Sequence, residues 1–218
     1  VLLGPHVLEH FDRSVEFFVL GTPDQRTVFD RVHTASADPW AVDTSWYEQR
    51  KRDVLLACLP REHYGSVLDL GCSTGALTVE LARRARSVTA VDASDVALSA
   101  ARTRLERKGV PNVELVSAVL PRDWDEDWSP RELIVVSEMG YFCSPEQWRE
   151  LLRRCVAALA DGGHLVLCHW RHPIADWPLD GADVHREARR TPGLRGVLSH
   201  RETDFVIEVF APVPAGDT

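Results

Sequence analysis

From Ser66 onward, short apolar runs alternate with longer segments whose apolar positions recur at helical spacing, the pattern of a mostly parallel sheet covered on both faces. Strands are expected at 67–70, 87–91, 113–116, 133–136 and 164–170. Between them, helices are expected at 76–86, from an N-cap at Ser94 to a stop at Lys108-Gly109, and from Ser144-Pro145 to about 160, where Asp161-Gly162-Gly163 ends it. A polar stretch, 171–180, leads to a short helix near 184–189. Two late strands, 196–200 and 205–210, joined by Arg201-Glu202-Thr203-Asp204, suit an antiparallel sheet edge. Ahead of the sheet, Ser45 with Glu48 three residues on opens a helix to about Leu59.

Residues 1–40 differ in character. Residues 7–20 are apolar and charged by turns, 21–24 form a break, and 35–39 are small and polar, as in a linker. The expected division is therefore an N-terminal appendage or linker at 1–40, a domain at 41–212 and a tail at 213–218. The chain of 218 residues is 44% hydrophobic, and 25 basic against 33 acidic residues give a net charge of −8. That balance lacks the basic surface on which nucleic-acid binding leans, so no nucleic-acid partner is expected. No apolar run approaches membrane-spanning length, so no membrane partner is expected either. Five scattered cysteines without a C-x-x-C pair fit reduced thiols in the cytoplasm. The histidines join no cysteines or carboxylates in ligand spacing, so no metal is expected.

The informative segment is Asp69-Leu70-Gly71-Cys72-Ser73-Thr74-Gly75, a strand end and tight loop entering a helix. Glycines at 71 and 75 permit positive φ and close approach of a ligand at the carboxyl end of the sheet. Asp92, in Val91-Asp92-Ala93, ends the second strand about 20 residues on, where an acidic side chain meets ribose hydroxyls; its other reading is a helix N-cap. The pair points to a nucleoside ligand, and without Gly-x-Gly-x-x-Gly a nicotinamide dinucleotide is the poorer fit.

The loop resembles motif I of the class I S-adenosylmethionine (SAM) dependent methyltransferases. Val91-Asp92-Ala93-Ser94 resembles their ribose motif, Leu133-Ile134-Val135-Val136-Ser137-Glu138 their fourth-strand motif, and Leu159-Ala160-Asp161-Gly162-Gly163-His164-Leu165 the turn before strand five. The resemblance implies an α/β, Rossmann-like seven-stranded sheet of order 3-2-1-4-5-7-6, the last pair antiparallel, with helices on both faces. It further implies SAM as cofactor, S-adenosylhomocysteine as product, and a cofactor site of Asp69, Gly71, Cys72, Ser73, Gly75, Asp92, Ala93, Ser137 and Glu138. Trp46 and Tyr47 are expected as a lid, with Arg50 pairing with the methionine carboxylate. Ser73 stands where many members carry a middle glycine. Ser117-Ala118-Val119-Leu120 replaces the usual acidic residue after strand three, so adenine is expected against Val119 and Leu120, or held by Asp123.

Asp38-Pro39-Trp40, Thr44-Ser45-Trp46-Tyr47-Glu48 and Val136-Ser137-Glu138-Met139-Gly140-Tyr141-Phe142 are similar to the NodS-type nodulation N-methyltransferases, which act on the free amine of a deacetylated chitooligosaccharide. Leu3-Gly4-Pro5-His6-Val7-Leu8-Glu9-His10-Phe11 with Val15-Glu16-Phe17-Phe18 resembles the end of PIG-L type zinc deacetylase domains, or is an ordinary appended helix and strand. The former would make the chain part of a deacetylase–methyltransferase fusion.

Methyl transfer needs alignment and few catalytic groups, and an amine nucleophile needs a nearby proton acceptor. Glu138 is the first candidate and His169 the second, with Tyr141 and His172 lining the same mouth. Trp124, Trp128, Trp170 and Trp177, beside Asp123, Asp125, Glu126 and Asp127, offer stacking faces for a cationic amino sugar or anchor loops. The expected activity is N-methylation of the primary amine of a small molecule, a deacetylated amino sugar or oligosaccharide. The alternatives are an O-methyltransferase of a secondary metabolite and an inactive SAM-binding module of a bifunctional protein.

Overall fold

In the computed structural model, which describes residues 25–173 and 177–214, the apolar runs become one sheet. In chain order the elements are α1 (Gln25–Ala35), α2 (Trp46–Cys58), β1 (Tyr64–Leu70), α3 (Ala76–Ala82), β2 (Ala85–Asp92), α4 (Asp95–Lys108), β3 (Val113–Ser117), β4 (Arg131–Ser137), α5 (Pro145–Ala158), β5 (Leu159–Trp170), α6 (Gly181–Arg190), β6 (Leu194–Arg201) and β7 (Phe205–Pro212). The seven strands lie in the order β3-β2-β1-β4-β5-β7-β6. β1 to β5 pair in parallel, and β7 runs antiparallel to both β5 and β6. This is the order and polarity expected. No helix among the described residues is long and apolar enough to cross a membrane.

Successive side chains of a strand point to opposite faces, and here both faces are buried. Leu68, Leu70, Ile134, Val136, Leu165 and Leu167 join a core with Trp148, Leu151 and Leu152 of α5 and Val184 and Ala188 of α6. Val67, Val135, Val166 and Cys168 join the opposite core with Leu55 of α2, Leu81 of α3 and Leu98 of α4.

Caps set most of the helix ends. Ser94 accepts from Ala97 N at 3.1 Å and Gly109 closes α4 at φ 65°. Ser144 and Gln147 form a reciprocal capping box under Pro145, and Asp180 with Asp183 does the same for α6, which starts three residues earlier than expected. Ser45 caps α2, but the Glu48 carboxylate turns away to Lys51 rather than closing a box.

Other boundaries differ from the sequence expectation as well. α3 stops at Ala82 because β2 already pairs with β1 at Ala85. Asp161-Gly162-Gly163 falls within β5, where the register against β4 slips between Arg131 and Leu133, and Gly162 takes φ 67°. α1, inside the segment assigned as appendage, lies on α4: Asp30 accepts from Ser94 Oγ at 2.7 Å, and Arg26 reaches Asp95 at 3.0 Å. The segment carrying the deacetylase resemblance, the break at 21–24 and residues 215–218 of the tail lie outside the described residues.

Trp148 is buried between the sheet and α6, its indole N–H donating to Val184 O at 3.0 Å. Trp148→Ala is expected to cost about 3–5 kcal/mol of folding stability, read as a lowered midpoint in urea denaturation.

Candidate functional site

The carboxyl ends of β1, β2 and β4 are level, since Leu70 pairs with both Val91 and Val136. The loops leaving them wall a cavity of about 270 Å³, closed on its far side by α1, α2 and the segment between them.

The loop from Gly71 to Gly75 forms one wall. Gly71 N and Cys72 N both donate to Val91 O, at 2.8 and 3.0 Å, which ties the loop to the end of β2. Three of its residues are left-handed, Gly71 (φ 77°), Ser73 (φ 49°) and Gly75 (φ 76°). A Cβ at Gly71 would lie 3.0 Å from Met139 Cβ, so glycine answers both a backbone and a packing demand there. Asp92 braces the loop: Oδ2 accepts from Ser73 N at 2.8 Å and Oδ1 from Ser94 N at 2.9 Å. Burial raises the Asp92 pKa against these backbone donors. Asp69, behind the loop, accepts from Thr78 Oγ1 at 2.7 Å, and burial pushes its carboxyl up to about 6.

The opposite wall carries a cluster of charge. Glu138 follows the last residue of β4 at φ 56°, a left-handed conformation unusual for a residue with a side chain. Its Oε1 accepts from Lys51 Nζ at 2.8 Å, and its Oε2 from the Tyr141 hydroxyl and from Trp170 N at 3.3 Å. Lys51 also reaches Glu48 at 2.9 Å. Burial alone would lower the ammonium pKa, but the two carboxylates outweigh it and hold it raised. Burial, then Glu138, raises the Tyr141 phenol well above its ordinary value. Aromatic rings complete this wall, Phe142 standing 4.2 Å from Trp177 and 4.8 Å from Phe29 of α1, measured between centroids. Two buried polar atoms of lining residues, Tyr47 Oη and Arg52 Nη1, have no hydrogen-bond partner among the described residues.

A family profile described as a methyltransferase domain matches residues 67–163. A putative methyltransferase from Pseudomonas syringae is 35% identical, with a TM-score of 0.66 and coverage of 76% of this chain and 99% of that one. The chain belongs to the class I SAM-dependent methyltransferases. It is also 29% identical to nodulation protein S of Rhizobium tropici over 157 residues, 71% of this chain and 64% of that protein, and so spans less than two thirds of that relative's length. The fold of the N-methyltransferase NodS from Bradyrhizobium japonicum WM9, solved with S-adenosylhomocysteine, matches with a TM-score of 0.75 over 87% of this chain and 99% of that one, at 23% identity.

Among the residues singled out in this methyltransferase, the cavity brings together Tyr47, Asp69, Gly71, Cys72, Ser73, Asp92, Ala93, Leu120, Ser137, Glu138 and Tyr141. Others it does not. Trp46 is 72% exposed. Arg50, one helical turn on, lies 5.8 Å from the Trp46 ring and forms a bidentate pair with Glu202 at 2.6 and 2.8 Å. Gly75 lies against Ala101, to which a Cβ would approach within 3.1 Å, and serves the packing of α3 on α4. Val119 donates its N–H to Asp123, whose carboxylate pairs with Arg122 outside the cavity. His169 is fully buried on the α6 side of β5 because strand alternation sends Trp170, not His169, to the cavity. His172 pairs with Asp204 at 2.8 Å. Trp128 is core, with Trp124 stacked edge-on against it at 5.2 Å, so only Trp170 and Trp177 of the four tryptophans line the site. Lys51 and Arg52 were missed; position along α2 was the available signal, since they stand at i+4 from Tyr47 and Glu48, which also line the cavity.

The raised Asp69 carboxyl has a consequence for stability. Its folded value, about 6, lies above the ordinary 3.8, so its contribution to stability is full below about pH 4 and is lost as pH rises through 6. Asp69→Asn, which can still accept from Thr78, is expected to remove that loss and to gain on the order of 3 kcal/mol over the parent between pH 4 and 8, measured as the difference in denaturation midpoints across pH.

Proposed function

We propose that this methyltransferase transfers the methyl group of SAM to the amine nitrogen of a small molecule, an amino sugar or its oligosaccharide. The observation that carries the reading is the meeting, across one cavity, of the Asp92-braced loop with the Glu138 carboxylate and Tyr141 hydroxyl.

The residues fit the cofactor. Asp92 offers carboxylate lone pairs to ribose hydroxyls at the end of β2. Gly71 lets the ligand approach the backbone, and Ala118 and Leu120 supply an apolar face for adenine. The unpartnered Arg52 Nη1 is the donor for the methionine carboxylate, the part first assigned to Arg50; a buried guanidinium N–H without a partner costs stability unless a ligand supplies one. SAM supplies a methyl group on a sulfonium whose carbon–sulfur bond breaks as the nitrogen–carbon bond forms, the bonding pair remaining on sulfur.

The acceptor wall then performs three tasks. Glu138 accepts a hydrogen bond from the neutral amine, aims its lone pair, and takes the proton that the methylated ammonium releases. Tyr141, kept protonated by its raised pKa, donates to Glu138 and fixes the carboxylate's orientation. Glu48 and Glu138 share a single ammonium, Lys51, with Arg52 the second cation near Glu48. Trp170 and Trp177 offer faces for a pyranose ring and exclude water. The likeness to nodulation protein S and to the Bradyrhizobium N-methyltransferase supports nitrogen as the acceptor atom. The five buried, unpaired cysteines support a cytoplasmic setting.

The test is methyl transfer from labelled SAM to amino sugars and chitooligosaccharide amines, alongside hydroxyl acceptors. Amines are expected to turn over; methylation of hydroxyls alone would overturn the reading. Glu138→Gln is expected to lower kcat by roughly tenfold or more with SAM affinity unchanged. By calorimetry, Asp92→Ala and Arg52→Met are each expected to weaken SAM binding by about 1–3 kcal/mol.

A further inference from the structure

Beneath the acceptor wall runs a line of polar groups that the methyl-transfer chemistry does not use. Gly140 N donates to His169 Nε2 at 3.1 Å, His169 Nδ1 lies 3.1 Å from His185 Nε2, and His185 Nδ1 lies 2.8 Å from Glu208 Oε2. Arg189 Nη1 ends the line, 2.9 and 2.8 Å from the two Glu208 oxygens. The four side chains come from β5, α6 and β7, and both imidazoles are buried.

The first donor fixes the sense of the line. A backbone N–H can only donate, so His169 Nε2 must be the lone-pair nitrogen and the ring proton sits on Nδ1. That proton is donated to His185 Nε2, so His185 carries its own on Nδ1 and donates it to Glu208. Burial, then His185 and Lys51, hold the His169 pKa well below its ordinary value, which keeps its ring neutral. In the other tautomer, or with a second proton, His169 would present an N–H to the Gly140 N–H. The turn cannot evade that conflict by moving closer to α6. A Cβ at Gly140 would already lie 2.7 Å from Val184 Cγ1 and 3.0 Å from His169 Nε2. The next residue in this turn (Gly140–Phe142) is Tyr141, whose hydroxyl donates to Glu138 and whose ring stands 5.4 Å from that of His169.

We propose that His169 and His185, oriented by Glu208, are positioning residues: their single tautomeric arrangement anchors the Gly140–Phe142 turn and thereby holds Tyr141 and Glu138 ready for the acceptor. The catalytic half of this statement rests on the reading that Glu138 and Tyr141 face the acceptor; the structural half does not.

Nitrogen-15 NMR of histidine-labelled protein is expected to show His169 protonated on Nδ1, and protonation on Nε2 overturns the proposal. His169→Gln can present its amide oxygen near the site of Nε2, whereas His169→Leu cannot. In the leucine variant, Gly140 amide exchange is expected to quicken roughly tenfold or more. Its kcat is expected to fall by about fivefold or more with SAM affinity within twofold, and glutamine is expected to restore most of both. Unchanged exchange and kcat in the leucine variant, or an equal loss in both variants, overturns the proposal. If the leucine variant does not fold, Glu208→Leu, which leaves His185 Nδ1 without its acceptor, replaces it; unaltered His169 tautomer and Gly140 exchange there overturn the proposal equally. The NMR and exchange readouts need no acceptor, so failure to methylate any amine would count against the proposed function and leave the anchoring of the turn separately testable.

Discussion

A largely parallel sheet whose central strands are buried on both faces assigns each successive side chain to one of two cores, and most of the site follows from that constraint. Asp69 shares the face of Val67, which takes it to Thr78 of α3 behind the loop. His169 shares the face of Leu165 and Leu167, which takes it to His185 and away from the cavity. Level strand ends bring Asp92, the Gly71–Gly75 loop and Ser137 to one edge. Glu138 is the residue that leaves the alternation: at φ 56° it stands beyond the last rung of β4, between the two faces, where Lys51 from one side and Tyr141 from the other both reach it.

That meeting is electrostatically demanding. Lys51 is a buried ammonium, with 7% of its side chain exposed, and two carboxylates hold it. Removing one partner of such a cluster leaves a buried charge uncompensated, which commonly costs about 3–5 kcal/mol. The cluster therefore ties the placement of α2 to the end of β4. It also explains why Glu48, well placed to cap its own helix, is diverted to Lys51.

The strands, the glycine loop and Asp92 were legible in the sequence because local rules fix them: apolar runs, a tight turn and a strand-end carboxylate; the order of the strands followed from the family resemblance. Residues whose roles depend on helix rotation were harder to read. On α2, Arg50 and Arg52 are both plausible cations, yet only the latter faces the cavity, while Arg50 turns to Glu202 across 152 positions of chain. His169 adjoined the right strand end, and the face it occupies follows only from the pairing of β5 with α6. The contribution of α1 was illegible for a different reason. Its sequence is polar on average, and what holds it is a set of distant contacts, Gln25 to the Phe142 carbonyl at 3.2 Å and Asp30 to Ser94, that no local pattern announces.

Ser73 adopts a left-handed backbone that its side chain disfavours, held there by the bond from its N–H to Asp92. A serine has fewer conformations to lose on folding than a glycine, so the loop reaches its folded shape with a smaller entropic penalty. The same brace makes the loop preorganised. Its amides at 71, 72, 73 and 75 are already bonded within the protein, so the loop's shape is set before a ligand arrives and little of the affinity for that ligand is consumed in ordering the chain.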